Sequence, residues 1–188
     1  LDAGLMKLTS VTSFRKSKEH QVEDYSTSGL YIGDRAQRYR QFSQELRGAG
    51  KIGDNFDYVV GGYYFKSRYH LLQNTTLFGA QKPLQDTVGT SESYAAFADL
   101  NWEFLPRVRL SGGGRWTHDK KTMHTIYAAD FGTGSKSWSK FTPKIGIDYR
   151  PTDDLMVYGS WSRGYRSGGF NGRGLSVFSS RLPYNPET

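Results

Sequence analysis

Four stretches of the chain hold residue types that could do chemistry. His118, Asp119 and His124 are metal-ligating types, but they sit one and five residues apart in a polar stretch, which is no ligand spacing. Gly132 to Ser137, GTGSKS, has the look of a clipped phosphate loop, yet Ser135 separates Gly134 from Lys136 where such a loop needs Gly-Lys in sequence. Glu45 and Arg47 could form an acid/base pair, but their alternation with Leu46 is more simply a strand with one polar, hydrogen-bonded face. The tract RGYRSGGFNGRG, residues 163–174, has the Arg/Gly/aromatic character of a single-strand nucleic-acid binder. It occurs once and is embedded in strand periodicity. The residues therefore point to no catalytic group, no metal, no cofactor and no nucleic acid.

Composition narrows the class. Apolar residues make up 36% of the 188 and aromatics 15%, with 13 Tyr and 22 Gly, a profile of strands and turns rather than helices. The net charge of +7 suits an anionic partner such as nucleic acid, lipopolysaccharide or an acidic ligand, without choosing among them. With no cysteine, there is no disulfide framework or thiolate metal site to argue from. No run of about 18 apolar residues exists to form a membrane-crossing helix. The chain begins at Leu1 and reads as an internal piece of something longer.

The elements that must position these residues are strands. Tight-turn signals begin at residues 1 (LDAG), 53 (GDN), 105 (LPR) and 151 (PTDD), 46 to 52 residues apart. Seven strands are predicted, at 5–15, 39–52, 56–68, 92–104, 107–118, 139–150 and 155–166. Long connections are expected over 17–38, 69–91 and 119–138, with an outer loop opening from Ser167. Short turns at one end and long loops at the other are the layout of an outer-membrane β-barrel.

Alternation supports this. In the last four strands the twenty positions on the face of Tyr94, Leu110, Ile145 and Trp161 carry no charge. The twenty opposite carry eight: Asp99, Glu103, Arg109, Arg115, Lys140, Lys144, Asp148 and Arg150. On the apolar face Tyr94, Trp116, Phe141 and Trp161 fall near the long-loop end, and Trp102, Phe104 and Tyr149 near the short-turn end. Such belts bounding Ala, Gly, Leu, Ile and Val are what a bilayer with two interfaces selects. The stretch FDYVVGGYYF, 56–65, is apolar on both faces, and its phase stays open.

The chain resembles the TonB-dependent receptors, ligand-gated uptake transporters of the Gram-negative outer membrane. The resemblance lies in LTSVTSFR (8–15), FSQELR (42–47), YVVGGYYF (58–65), YAAFADLNWEF (94–104), LSGGGRWTHDKK (110–121), SKFTPKIGIDYRPTDDLMVYGSWSRGYRSGGFN (139–171) and YNPET (184–188). It implies an all-β fold, an antiparallel transmembrane β-barrel of about 22 strands closed by an N-terminal plug. Residues 1–188 would then be a partial barrel domain of about seven strands, without the plug, the TonB-contacting segment or the terminal strand. The resemblance implies localisation in the outer membrane, contact with its lipid and lipopolysaccharide, and energy from the TonB protein through the plug. It implies no enzyme, and uptake of a small ligand, a ferric siderophore before cobalamin or an oligosaccharide. A porin-like pore and a soluble β-sandwich binding protein are the readings from other classes. Ligand capture would fall to loop and upper-lumen groups: Arg35, Arg38, Tyr39, Arg68, Tyr69, Trp138, Arg163, Tyr165 and Arg166. Their guanidinium donors and aromatic faces suit an anionic chelate.

Overall fold

The computed structural model describes residues 6–174 and 176–188. The turn expected at 1–4 and the first residue of the first expected strand lie outside them. Strands β1 (Lys7–Asp24), β2 (Tyr31–Ile52), β3 (Phe56–Leu77), the two-residue β4 (Ala80–Gln81), β5 (Gln85–Leu105), β6 (Val108–Tyr127), β7 (Asp130–Tyr149) and β8 (Val157–Ser162) form one antiparallel sheet. The path runs β1-β2-β3-β5-β6-β7-β8, with β4 folded onto β3 and the sheet open. The chain then doubles back as a strap holding β9 (Gly169–Phe170), the one-turn α1 (Val177–Arg181) and β10 (Pro183–Tyr184), with β9 and β10 paired.

All seven expected strands are present, but their lengths differ from expectation. The connections expected at 17–38 and 69–91 shrink to residues 25–30 and to 78–84, and that at 119–138 to residues 128–129. The missing residues continue the ladder: Lys16 to Asp24 pair with Arg40 down to Ile32, and Lys120 to Tyr127 with Ser137 down to Asp130. The last strand errs the other way, stopping at Ser162 instead of 166. We call the end bearing the hairpin tips 25–30, 78–84 and 128–129 the upper end.

The tips use left-handed backbone: Thr27 at φ 58°, Gly29 at 75°, Phe78 at 50°, Gly79 at 76° and Ala128 at 57°. Ala128 sits in a two-residue turn between paired Tyr127 and Asp130, a position that favours glycine. Ala128→Gly removes about 1–2 kcal/mol of Cβ strain against about 0.5–1 kcal/mol of added unfolded-state entropy. A net gain of about 0.5 kcal/mol is expected, read as a higher urea midpoint. At the lower end Arg107, at φ 68°, closes the turn between β5 and β6. Its guanidinium donates to the Pro151 carbonyl at 3.0 Å and to Asp153 at 3.1 Å, tying two neighbouring turns together.

The sheet has no conventional core. Among the described residues the buried side chains of the sheet are mostly polar and lie on one face, including Ser67, Gln73, Gln85, Thr87, Thr117, Asp119 and Thr125, against Leu71, Ala95, Met123 and Trp138 as the buried apolar ones. That inner face is the one the strap covers. The opposite, outer face exposes Phe14, Phe42, Leu46, Val60, Leu100, Ile145 and Ile147. A continuous apolar face of this extent is untenable in water. The expected alternation over 92–118 and 139–150 holds.

The phase of 56–65 is set by its partner. Tyr63 pairs with inner-face Ala95 and Tyr64 with outer-face Tyr94. Tyr63 therefore joins Phe97 beside the Arg115 guanidinium, 5.3 and 5.7 Å from the two ring centres. Tyr64 packs on Tyr94 at 5.0 Å and on Phe42 at 6.3 Å. On the inner face Asp99 of β5, Gly113 of β6 and Lys144 of β7 are in register, and the carboxylate reaches the ammonium at 2.7 Å across the glycine. A Cβ on Gly113 would lie 2.8 Å from the Ala98 carbonyl oxygen and 2.9 Å from Lys144, so a side chain there would break the pair.

The outer-face aromatics lie on two oblique lines. The upper one runs Phe14, Phe42, Tyr64, Tyr94, Trp116, Phe141, Trp161. Phe14 is in register with Ser137 by way of Phe42, Lys66, Glu92 and Lys120, whereas Trp161 is in register with Ile145, a slip of 145 − 137 = 8 residues over the six steps from β1 to β8. At about 3.3 Å per residue and 4.8 Å per step this is roughly 26 Å over 29 Å, an angle of about 40°. Strands in a closed barrel tilt by roughly that much from its axis. The lower line, Trp102 to Tyr149, slips the same way: Trp102 is in register with Ile147, two residues short of Tyr149.

Candidate functional site

The upper half of the inner face is a polar wall in which each side chain holds the next. Glu23 accepts from Arg35 at 3.3 Å, and Arg35 Nε donates to Gln73 Oε1 at 2.9 Å. Gln73 donates to Gln85 at 3.4 Å, Gln85 donates to Thr87 at 3.3 Å, and Thr87 shares a 2.8 Å hydrogen bond with Thr125. The chain of contacts crosses five strands from β1 to β6. It exists because Thr and Gln recur at every second residue of extended backbone, which stacks them across the ladder.

The strap roofs this wall. Gln85 Nε2 donates to the Gly172 carbonyl at 3.3 Å, the Phe170 ring lies on Gly134, and Gly168 lies on the Trp138 ring. These glycines are required by close approach: a Cβ at Gly168 would come within 2.6 Å of Trp138 Cζ2 and onto the Tyr184 carbonyl oxygen. The strap is closed on itself by backbone hydrogen bonds of 3.0 Å in both directions between Arg166 and Glu187. Trp138 Nε1 is buried beneath the strap without an acceptor among the described residues. Half-buried Tyr165 lies beside Asp119, and burial together with that carboxylate holds its hydroxyl well above the usual tyrosine range. It stays a neutral donor at any physiological pH.

Of the residues expected to capture ligand, Arg35, Tyr39, Tyr69, Trp138 and Tyr165 gather on or against the upper inner face. Tyr39 donates to Gln41 at 2.8 Å, and Tyr69 packs against Gly89 and the strap at Gly172. Arg163 and Arg166 lie on the exposed side of the strap, Arg166 3.8 Å from Glu187. Arg38 and Arg68 do not belong to the set. They share the parity of Phe42 and Tyr64 and line clefts on the outer face. Arg38, expected in a loop, stands in β2, and Arg68, expected at a strand top facing the upper lumen, stands within β3; both point away from the lumen.

Sequence reasoning passed over Glu23, Gln73, Gln85, Thr87 and Thr125, and weighed Asp119 only as a metal ligand, because it treated their segments as loops, where face has no meaning. Parity carried onward from Ala95 would have marked Gln85 and Thr87, and parity from Arg115 would have marked Asp119 and Thr125. The same geometry dismantles the metal reading. His118 bonds Ser139 at 2.8 Å and His124 bonds Thr133 at 3.0 Å on the outer face, while Asp119 is buried on the inner one. Residues 132–137 are strand, not a phosphate loop.

Comparison with known proteins agrees with this architecture. Residues 3–188 match the family described as TonB dependent receptor-like, beta-barrel. The pesticin receptors of Yersinia enterocolitica and Yersinia pestis are 33% identical over 162 residues, covering 80% of this chain and 24% of theirs. The chain thus spans about a quarter of the length of these relatives. The ferric yersiniabactin uptake receptor FyuA from Yersinia pestis superimposes with a TM-score of 0.86 at 23% identity, over 98% of this chain and 29% of that one. The siderophore receptor PiuA from Acinetobacter baumannii gives 0.71 at 18% identity, over 96% and 32%, and the ferric citrate transporter FecA 0.71 at 18%, over 88% and 25%. These folds are barrels of the Gram-negative outer membrane, and the family is one of transport receptors rather than enzymes. An open antiparallel sheet with a polar, strap-covered inner face, an apolar outer face and barrel-like strand tilt has its place in such a wall, and the chain belongs to the TonB-dependent receptor β-barrel family.

Proposed function

We propose that the chain forms part of the wall of a receptor for active uptake of a ferric siderophore. The two oblique aromatic lines mark the bilayer interfaces, and the upper inner face with its strap forms one side of the ligand vestibule. Energy would come from TonB through a plug seated against the lower inner face. The observation that carries this reading is the pre-ordered polar wall beneath a strap, with Arg35, Tyr69, Trp138 and Tyr165 gathered where an anionic chelate would enter. Guanidinium and aromatic side chains are the types that suit such a ligand. The named ligands of the similar solved receptors, yersiniabactin and ferric citrate, favour an iron chelate over cobalamin or an oligosaccharide.

Deleting the receptor gene tests this. Uptake of radiolabelled iron as a ferric siderophore should fall at least tenfold, return with the gene, and require TonB. Undiminished iron uptake, with loss of cobalamin or oligosaccharide uptake instead, would replace the siderophore by that ligand. Uptake that continues without TonB would favour a passive pore.

A further inference from the structure

The contact between strap and wall forces a reactive residue pair into the backbone. The chain has five asparagines, Asn55, Asn74, Asn101, Asn171 and Asn185, and only Asn171 is followed by glycine. Gly172 is glycine by necessity: a Cβ there would lie 2.4 Å from the Tyr69 hydroxyl and 3.5 Å from the Thr87 methyl group. Its carbonyl takes the 3.3 Å hydrogen bond from Gln85. Asn171 makes the turn beside that contact. Its side-chain carbonyl accepts from the Arg173 backbone N–H at 3.2 Å, and its main-chain carbonyl accepts from that of Gly174 at 3.2 Å. Asparagine is favoured in turns for such bonds.

An asparagine carboxamide is open to attack by the backbone nitrogen of the next residue, least hindered when that residue has no Cβ. Three features of this site favour the attack. The Gly172 N–H has no acceptor among the described residues, so the nitrogen is free to lose its proton. The Arg173 N–H on Oδ1 polarises the carboxamide carbon and is placed to hold the oxyanion that forms there. Asn171 is exposed, so water reaches the product of the attack. The other asparagines are guarded. Asn74 and Asn101 lie in paired strands before Thr75 and Trp102. Asn55 precedes the bulky Phe56, and Asn185 precedes Pro186, which has no N–H.

We propose that Asn171 and Gly172 are a site of spontaneous rearrangement to isoaspartate, which loosens the strap as the receptor ages. The Gly172 nitrogen bonds to Asn171 Cγ. The Cγ–Nδ2 bond breaks, and the side-chain nitrogen leaves as ammonia with the proton that Gly172 gave up. Water then opens the cyclic imide. Opening at Cγ leaves aspartate; opening at the main-chain carbonyl leaves isoaspartate, in which the chain runs through Cβ and Cγ. Isoaspartate lengthens the backbone by one methylene immediately before the residue whose carbonyl Gln85 holds, so the strap loses its register with Gln85 and Tyr69. The attacking group is the deprotonated amide, so the reaction quickens as pH rises. It is independent of which ligand the lumen takes.

The full receptor, purified in detergent, is held at mildly acid and at mildly alkaline pH and digested at intervals. The peptide carrying residue 171 should gain about one mass unit and accept methyl groups from an isoaspartate methyltransferase, faster at the higher pH. Peptides carrying the other four asparagines should convert at least about tenfold more slowly, as should Asn171→Gln, whose ring would have six members. Amide exchange at Arg166 and Glu187 should rise in aged wild type and stay unchanged in aged N171Q. Freshly prepared N171D, which adds the charge without the methylene, should exchange like fresh wild type. Conversion at Asn171 no faster than at the other asparagines, conversion that leaves exchange unchanged, or fresh N171D exchanging as fast as aged wild type would each overturn the proposal.

Discussion

Ala98→Arg in β5 is expected to prevent stable insertion of the receptor, whereas Asn101→Arg, three residues along the same strand, leaves it folded. Ala98 lies between Val60 and Gly114 on the outer face, midway between Tyr94 and Trp102 and so near the bilayer centre. A guanidinium there costs about 2–4 kcal/mol, a large share of a barrel's stability. Asn101 is opposite Ser111 on the polar inner face, between Asp99 and Glu103, where a long cation meets carboxylates rather than hydrocarbon, and a change within about 0.5 kcal/mol is expected. Urea titration of the receptor in lipid vesicles reads both. If the two variants lose stability equally, the assignment of faces is wrong, and with it the outward placement of Arg38 and Arg68.

Gly168→Val should release the strap while leaving the sheet intact. The new side chain would meet the Trp138 ring at 2.6 Å and the Tyr184 carbonyl oxygen. Neither can yield, since one belongs to a paired strand and the other to backbone. Such overpacking costs about 1–3 kcal/mol, and this site belongs at the upper end. The strap is held to the wall by few hydrogen bonds, among them that from Gln85 to the Gly172 carbonyl, so local detachment is the cheapest relief. Amide exchange should rise at 166–170 and 184–187 while β5 to β7 stay protected, and ligand capture should fall about tenfold or more. Unchanged exchange at Arg166 and Glu187 would show that the strap tolerates the residue.

Much of the architecture was legible from alternation where one face meets lipid, because 94–104 and 107–118 must place every second residue in hydrocarbon. Beyond the membrane both faces meet water, so the pattern that marks a strand vanishes although the strand continues. That is why 17–24, 69–77 and 119–127 read as loops. The same loss of parity hid the facing of Arg38: it is four residues from Phe42, hence on the same face, a deduction possible only once the segment is known to be extended. Residues 56–65 were ambiguous for another reason. With apolar side chains on both faces, only pairing to Ala95 and Tyr94 decides between them. The strap was not legible at all, because its glycines Gly168 and Gly172 serve Trp138 and Tyr69, contacts distant in sequence.

The continuation of the ladder past the bilayer bears on how tightly and how quickly a ligand can be held. A vestibule built of floppy loops must lose their conformational freedom on every binding event, at roughly 1–2 kcal/mol per backbone residue ordered. Here β1 to β7 are already hydrogen-bonded to their tips, and the side chains from Glu23 to Thr125 already hold one another. That entropy is lost during folding rather than at capture, so affinity in this sector depends on the few residues of the strap that remain free to adjust. Changes of specificity within such a receptor would then accumulate in the strap, while the wall beneath it stays constant.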